Sequence, residues 1–305
     1  MKRYILILTS LFLILAFVAN TDTCATEKPT REEVENHIRP LFENNEFDEA
    51  LDYLIDIDSR FPGNSDIQYM IGIAHSGLKN FDKAIEHIEN AISIQDTSAN
   101  YHMMLGNMYF AQAMQGSKLK IFGRMKRGRE EFERVLEMNP SDIPARYSLM
   151  QYYSQAPGIM GGSQEKADKM FSEMQEVNPE HFLTRAATVQ KLVKDKKLDQ
   201  AETKLNEYVQ LSATRRDTTV FAQSYNMLGY AYLNANECDK AVTSFRSYIH
   251  LTPGDPNAYD SMGEAFYKCD QPDSATIYFK KALEINPDFN HAKEMLEKLN
   301  TKQAN

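Results

Sequence analysis

The feature that most constrains the fold of this 305-residue chain is an internal repeat near its C-terminal end. When the sequence is aligned with itself at an offset of 34 residues, seven positions match. The first copy contributes Tyr225, Leu228, Gly229, Tyr232, Ala241, Phe245 and Pro253, and the second Tyr259, Met262, Gly263, Phe266, Ala275, Phe279 and Pro287. A period of about 20 to 50 residues indicates stacked copies of one small structural unit.

The spacing within each copy predicts two helices. Tyr225, Leu228, Gly229 and Tyr232 recur at i, i+3, i+4 and i+7, which places them on one face of a first helix. Gly229 and Ala241 are small, and two helices that approach closely need small residues where they meet. Each copy is therefore predicted to be a helix–turn–helix pair.

Both copies resemble the tetratricopeptide repeat, whose pattern is an aromatic residue, then Leu-Gly, then Tyr, with Ala, Phe and Pro further on. The small residue of the second helix recurs upstream as Ala50, Ala84, Gly128, Ala167 and Ala201. The resemblance implies an all-α fold, an α-solenoid of about seven such repeats plus a C-terminal capping helix. The predicted repeats are 31–64, 65–98, 99–142, 143–181, 182–221, 222–255 and 256–289, followed by a cap at 290–300 and a tail at 301–305.

The N-terminal end has the pattern of a secretory signal. Lys2 and Arg3 precede a 16-residue apolar stretch, residues 4–19, which is short for a membrane span. We place the cleavage after Ala25, which leaves residues 26–30 as a short linker, and expect an exported protein of the periplasm or cell envelope. The chain is similar in this respect to exported bacterial repeat proteins. A lipoprotein acylated at Cys24 and an uncleaved anchor are the alternatives.

Composition and motif content argue against an enzyme. Removing residues 1–25 changes the net charge from −9 to −10, which disfavours nucleic-acid binding. The seven histidines show no His-x-x-x-His pair, and no Cys-x-x-Cys motif is present. We therefore expect no catalytic residues, no metal site and no cofactor.

The resemblance also implies where a partner binds. In tetratricopeptide arrays the first helices line a concave groove that binds extended peptides or partner helices. Side chains of this groove are amide, aromatic and Met, which suit contact with a protein or peptide partner. The alternative is a polar groove without a dedicated ligand. The positions carried over to this sequence include Tyr69, Met103, Asn107, Tyr147, Gln151, Gln190, Asn226, Tyr230, Asp260 and Glu264.

A basic insertion lengthens the third repeat. From Tyr109 to Gly128 is 19 residues, where the last two repeats need 9. One interpretation is that both helices are longer and show a solvated basic face. The other is a docking patch for an anionic surface, which would tether the protein to lipid, an envelope polymer or an acidic protein. The basic residues are Lys118, Lys120, Arg124, Lys126, Arg127 and Arg129.

A second insertion, residues 156–163 with the sequence APGIMGGS, lengthens the turn inside the fourth repeat. Its glycines lack the spacing of a phosphate-binding loop, so we predict a turn in which Ser163 caps the following helix, with anion or partner binding as the alternative. Near the start of the chain, Thr30 and Glu33 form a capping-box pattern, whereas Pro40 departs from the repeat and predicts a kink.

Two cysteines remain after residue 25, Cys238 and Cys269. The stacked repeat places them at neighbouring ends of the second helix of repeat six and the first helix of repeat seven. Either they form a disulfide, which requires Cα atoms within about 7 Å, or they are unpaired buried thiols. Together these features predict a non-enzymatic interaction scaffold, and they do not define its oligomeric state.

Overall fold

The computed structural model describes residues 28–115, 118–211 and 215–303. These residues form fifteen α-helices and one short 3₁₀ turn, Gly158–Met160, and the all-α fold of consecutive helical pairs is the one predicted from the repeat. The helices are α1 Arg31–Glu43, α2 Phe47–Arg60, α3 Ser65–Gly77, α4 Phe81–Ile94, α5 Ala99–Gln115, α6 Lys118–Met138, α7 Ile143–Gln155, α8 Gln164–Val177, α9 Phe182–Lys194, α10 Leu198–Gln210, α11 Arg215–Asn234, α12 Cys238–Leu251, α13 Pro256–Lys268, α14 Pro272–Ile285 and α15 Asn290–Gln303.

The chain divides into two compact units, Met1–Gly116 and Ser117–Asn305. The division falls inside the predicted third repeat, so that α5 belongs to the first unit and α6 to the second. A further difference concerns repeats five and six, whose predicted boundary after residue 221 lies within α11. The first helix of repeat six therefore begins earlier, at Arg215, because the helical sequence continues upstream of the repeat motif.

Close helix contacts at small residues organise each unit. In the first unit a Cβ built on Gly72 of α3 would lie 2.6 Å from Cγ1 of Ile88 in α4. In the second unit a Cβ on Gly229 would lie 2.7 Å from the ring of Phe245, and one on Gly263 would lie 2.8 Å from the ring of Phe279. Glycine is thus required by packing, and the second helix places a large side chain against it.

We expect Gly229→Ala to lower the free energy of unfolding by about 1–2 kcal/mol. The new methyl group overlaps the fully buried Phe245 ring, and overpacking outweighs the higher helix propensity of alanine. The matched control is Gly123→Ala in α6, where no atom beyond the neighbouring backbone of the same helix lies within 4 Å of the added Cβ, and this change should stabilise the protein by about 0.5–1 kcal/mol. Urea unfolding of both variants measures the difference, and equal effects of the two substitutions would contradict the packing requirement.

Five of the pairs are joined by the same three-residue turn. In each turn the middle residue has a left-handed backbone with φ between 54° and 62°. The next residue donates its N–H to a carbonyl five positions earlier, as Glu46 does to Leu41 and Glu237 to Tyr232. This is the Schellman arrangement, here formed without glycine. The left-handed residues are Asn45, Lys79, Lys196, Asn236 and Asp270.

The glycine-rich insertion in the fourth repeat is a closed turn between α7 and α8. The N–H groups of Met160, Gly161 and Gly162 donate to carbonyls of the same turn, and that of Ser163 donates to Tyr153 at 2.9 Å. The Ser163 hydroxyl caps α8 by accepting from the Lys166 N–H at 3.3 Å. These four N–H groups are therefore already used, which is the arrangement of a structural turn rather than of an anion cradle.

At the start of the first unit, the capping box forms between Thr30 and Glu33. The Thr30 N–H donates to the Glu33 carboxylate at 2.8 Å, and the Glu33 N–H donates to the Thr30 hydroxyl at 3.3 Å. Helix α1 continues through Pro40 to Glu43. The chain thus keeps α1 as one helix although Pro40 has no N–H to donate.

A pair of histidines lies inside the first unit between α3 and α4. The rings of His75 and His87 are stacked with centroids 5.4 Å apart. His75 is 5% exposed, and within the described part of the chain its Nδ1 has no hydrogen-bond partner. Burial, together with the neighbouring His87, lowers the pKa of His75, and burial also lowers the pKa of His87.

Acid should therefore loosen the first unit. Because the folded pKa of both rings lies below the unfolded value of about 6.5, the unfolded state binds more protons as pH falls through 6.5, and stability decreases in that direction. We expect amide hydrogen exchange in α3 and α4 to report lower protection free energies at pH 5.5 than at pH 7.5. The loss should shrink in a variant with His75→Leu and His87→Gln, and it should persist in the control His37→Gln, whose side chain is exposed. If the wild type, the double variant and the control lose the same protection free energy at pH 5.5, His75 and His87 are not the cause of the acid sensitivity.

Candidate functional site on the first helices

The positions predicted to line a groove all lie on the first helix of a pair. In the first unit these helices are α1, α3 and α5, and in the second unit they are α7, α9, α11 and α13. We refer to the side formed by these helices as the first-helix face of each unit. Within each unit, successive first helices pack on the intervening second helix, so their groove positions line up along one side.

In the second unit, the side chains of Gln151 and Gln190 form a reciprocal amide pair. Nε2 of Gln151 donates to Oε1 of Gln190 at 2.8 Å, and Nε2 of Gln190 donates back at 3.1 Å. Tyr147 lies half-buried beside this pair, where burial raises the pKa of its hydroxyl and a hydrogen bond with Gln151 opposes that shift. The structure thus brings three predicted groove residues of α7 and α9 together.

A second group joins α11 to α13. The Tyr230 hydroxyl donates to Oε2 of Glu264 at 2.7 Å and lies 3.3 Å from the Ser261 hydroxyl. Nζ of Lys268 lies 2.9 Å from the other oxygen of Glu264. Burial favours the neutral form of Glu264, but the hydrogen bonds from Lys268 and Tyr230 outweigh it and lower the pKa of this carboxyl.

The groove position one turn earlier on α13 is Asp260, which is 8% exposed. Its carboxylate lies 2.8 Å from Nδ1 of His291 in α15, so it holds the capping helix against α13. Burial raises the pKa of Asp260, and the contact with His291 opposes this shift. The matching position on α11 is Asn226, whose Oδ1 is buried and has no hydrogen-bond partner among the described residues.

The predicted groove residues of the second unit are therefore largely bonded to one another. The Gln151–Gln190 and Tyr230–Glu264 pairs each link side chains of two neighbouring first helices and so fix the spacing of those helices. A partner that binds here must contact the exposed edges of these pairs or exchange their hydrogen bonds for its own. This face therefore provides a rigid, polar contact surface.

The first unit has a different first-helix face, because a pocket of about 370 Å³ opens between α1 and α3. Tyr69, one of the predicted groove residues, lines this pocket and packs against Tyr101 with ring centroids 4.8 Å apart. The other two predicted positions, on α5, are the half-buried Met103 and the exposed Asn107. The pocket is lined by Arg31, Glu35, Ile38, Arg39, Phe42, Glu43, Tyr69, Met70 and Ile73.

Sequence reasoning missed the α1 side of this pocket. Glu35 and Arg39 are positions 5 and 9 of the first repeat, counted from residue 31, and the groove residues predicted in the other repeats are positions 5 and 9 of theirs. Phe42 and Glu43 follow one turn later on the same helix and line the same pocket. The first repeat matches the motif poorly and contains Pro40, so the motif predicts no groove residue in it. Applying the same count to every repeat would have found Glu35 and Arg39.

The basic insertion is part of helix α6, which agrees with the interpretation that it lengthens a helix. Lys126 lies 3.7 Å from Glu130, and Arg129 lies 3.4 Å from Glu133, so part of its positive charge is balanced on the same helix. Arg124 and Arg127 also make interactions within the protein. The side chains of Lys118 and Lys120 lie outside the described part.

Cys238 and Cys269 form a disulfide in the structure, with Cα atoms 6.1 Å apart. Cys238 is the first residue of α12 and Cys269 follows the last residue of α13, so the bond connects the sixth helical pair to the seventh. Within the described ranges, no group of three His, Cys, Asp or Glu side chains could hold a metal ion. None of the helices in these ranges is both long and apolar enough to cross a bilayer.

Comparison with known families supports the repeat assignment. Two family models for the tetratricopeptide repeat match this chain, one at residues 41–108 and the other at 222–255 and again at 256–289. The tetratricopeptide repeats predicted from the sequence are thereby confirmed.

Curated relatives with partial similarity are much longer proteins. The chain is 23% identical over 221 residues to tetratricopeptide repeat protein 37 of Xenopus laevis, which covers 72% of this chain and 13% of that protein. It is 23% identical over 242 residues to the human Superkiller complex protein 3, which covers 79% of this chain and 15% of that protein. The chain thus spans about one seventh of the length of these relatives.

Two solved structures share the fold at low identity. A tetratricopeptide repeat protein from Parabacteroides merdae superposes with a TM-score of 0.63 at 16% identity, covering 88% of this chain and 98% of that one. The Cut9–Hcn1 hetero-tetramer of the APC/C also gives a TM-score of 0.63, at 14% identity, covering 86% of this chain and 48% of the matched chain. At such identities the similarity shows the fold alone.

Proposed function

Since this chain carries tetratricopeptide repeats, we propose that it is a non-enzymatic scaffold that holds a peptide or helix of a partner protein on its first-helix faces. Proteins with these repeats generally mediate protein–protein interactions. The observation that carries the proposal is a repeat array whose first helices present half-exposed aromatic and amide side chains at matching positions. Tyr147, Gln151, Gln190 and Tyr230 are examples.

We further propose that the scaffold works outside the cytoplasm, in the periplasm or cell envelope. Lys2 and Arg3, the apolar stretch at residues 4–19 and the small residues before position 26 support this location. The segment lies outside the described residues, so the proposal rests on sequence. Intact-mass measurement of the native protein tests it. A mass starting at Thr26 supports export with cleavage, acyl chains on Cys24 indicate a lipoprotein, and a cytosolic protein that retains Met1 contradicts export.

The scaffold function is tested by cross-linking in the native cell followed by mass spectrometry. We expect the double variant with Tyr147→Ala and Tyr230→Ala to lose cross-links to its partner, because well-packed aromatic anchors each contribute about 2 kcal/mol or more to binding. The matched control is Tyr278→Ala, which removes a half-buried tyrosine from the second helix α14. Circular dichroism must show unchanged helix content. Equal cross-linking in the wild type and the double variant would contradict a role for this face.

A second candidate function is supported by α6, which carries Arg124, Lys126 and Arg127 beside Phe122, a side chain that is 47% exposed. A basic helix with an exposed aromatic residue suits contact with an anionic surface. In this tether function, sedimentation with anionic vesicles should fall steeply between low and physiological salt, since screening weakens each charge contact. Replacing the basic residues with serine should abolish it, whereas the tyrosine pair should have no effect.

A further inference from the structure

We propose that the pocket of the first unit binds an extended acid–apolar–base segment of a partner protein. A bulky apolar side chain enters the pocket, and the two charged neighbours pair with Arg39 and Glu43. This inference rests on the scaffold function proposed above and adds the chemistry of the partner. Of the residues that carry it, Tyr69 belongs to the groove positions predicted from the sequence, and Ile73 is the ninth position of the same repeat.

The floor of the pocket is apolar. Ile38 and Met70 are each 4% exposed, and Phe42, Tyr69 and Ile73 are partly buried around them. A volume of about 370 Å³ lies in the range of ligand-binding pockets, roughly 300–1,000 Å³, and accommodates a large side chain. Transfer of a Phe, Leu or Met side chain from water to this floor is favourable, whereas a charged side chain would lose its hydration there.

The rim of the pocket carries a row of alternating charges on α1. Arg31, Glu35, Arg39 and Glu43 follow one another at four-residue spacing, which places them along one side of the helix. Arg31 is neutralised by Glu35 at 2.6 Å and by Asp66 at 3.1 Å.

The other two charges have no such neutralisation. Within residues 28–115, Arg39 and Glu43 take part in no ion pair or hydrogen bond of their side chains, and both are exposed. The rim therefore presents one free positive and one free negative charge. A partner with the opposite pair of charges gains both contacts, whereas an anionic lipid surface would be attracted by one and repelled by the other.

The spacing of these two charges fits an extended peptide. Four residues of α-helix rise about 6 Å, and alternate residues of an extended strand are about 6.6 Å apart. Residues i and i+2 of a peptide lying along the pocket can thus face Arg39 and Glu43. Because successive side chains of an extended chain point to opposite sides, residue i+1 then faces Tyr69 and Ile73 on α3. The result is an acid–apolar–base tripeptide.

Synthetic peptides with the full chain provide the test. The probe is a labelled Gly-Ser peptide with a central Asp-Phe-Lys, and fluorescence anisotropy measures its affinity. We expect Asp-Ala-Lys to bind at least about ten-fold more weakly because the apolar contact is lost. Asp-Phe-Asp and Lys-Phe-Lys should also bind more weakly than Asp-Phe-Lys. The difference in affinity between these two peptides and Asp-Phe-Lys should diminish at high salt, because salt screens the charges. Substituting benzoylphenylalanine for the Phe should cross-link the peptide to α1 or α3.

Variants of the protein locate the binding. Arg39→Glu should lower the affinity for the Asp-Phe-Lys peptide about ten-fold or more. Because the side chain of Arg39 is exposed, the substitution should not disturb the fold, so misfolding would not explain the loss of affinity. The matched control is Lys83→Glu, the same charge change on α4, and it should leave the affinity unchanged. The exchange of Arg39→Glu together with Glu43→Arg should change the preferred peptide from Asp-Phe-Lys to Lys-Phe-Asp. Ile73→Gln tests the apolar floor separately.

Three outcomes would overturn the proposal. In the first, no peptide of the series binds although the native partner still cross-links to the tyrosine-dependent face, which leaves the scaffold function intact. In the second, the peptides bind equally well to Arg39→Glu and to the wild type. In the third, sedimentation shows a dimer that Arg39→Glu dissociates, which would make a second copy of this chain the occupant. If the wild-type protein forms no cross-links to any partner in the native cell, the scaffold function itself is refuted.

Discussion

Replacing Cys238 and Cys269 with serine is expected to lower the free energy of unfolding by about 3–4 kcal/mol. The disulfide links residues 31 positions apart, and closing a loop of this length restricts the unfolded chain by that amount in the chain-entropy account. The bond joins α12 to the end of α13, so the loss should be concentrated in the last two helical pairs. Urea unfolding of the oxidised protein and of the double variant measures the effect.

Reduction of the wild type provides the internal control, because it breaks the same bond without changing the sequence. Reduced wild type and double variant should unfold at similar urea concentrations. Thiol titration of the unfolded, unreduced protein should find neither Cys238 nor Cys269 free. Two free thiols from this pair would contradict the disulfide.

Phe279→Ala is expected to lower the free energy of unfolding by about 3–5 kcal/mol, an effect as large as that of removing the disulfide. The ring is fully buried, and it fills the space that Gly263 leaves on the neighbouring helix. It also belongs to the apolar cluster that includes Ala292 and Leu299 of the capping helix. Truncation therefore opens a cavity that touches α13, α14 and α15 together, and cavities of this size cost several kcal/mol.

The matched control lies two residues away on the same helix. Ile277 is 54% exposed, so Ile277→Ala should change the free energy of unfolding by no more than about 0.5 kcal/mol. Hydrogen exchange should show that Phe279→Ala loosens α13 and α15 as well as α14. A loss restricted to α14, or one no larger than that of Ile277→Ala, would show that Phe279 does not connect the three helices.

The fold was predictable because repetition amplifies a weak local signal. Gly229 and Gly263 are spaced from Phe245 and Phe279 by the same number of residues, and the same close contact recurs in space. Helix ends were less predictable. The start of α11 at Arg215 lies upstream of the motif, since a repeat pattern records the contacts between helices and not the length of each helix. The insertions in repeats three and four were visible as altered spacings, and the turn capped by Ser163 was predictable from its glycines and serine. The sequence left open whether the basic insertion is a solvated helix face or a docking patch.

The candidate site was predictable only in part. Counting positions correctly placed Tyr147, Gln151 and Tyr230 on first helices. The count could not show that Gln151 pairs with Gln190 or Tyr230 with Glu264, because such bonds depend on side-chain rotamers and on the neighbouring repeat. The pocket beside Arg39 was not predictable for another reason. A sequence motif records the positions at which helices pack closely against each other. A pocket forms where side chains leave a gap, and the motif contains no information about such gaps.

The left-handed turns also bear on how a chain of this kind changes length over evolution. Asn45 and Lys79 lie 34 residues apart, as do Asn236 and Asp270, and all four have the same backbone conformation. An unequal crossover between two such turns would add or delete one whole helical pair while leaving the backbone at the junction unchanged. Because the turn accepts Asn, Lys or Asp, the gene does not need matching glycine codons at the joint. The number of helical pairs can thus change at these turns, while the gene keeps its reading frame and each remaining pair keeps a neighbouring pair to pack against.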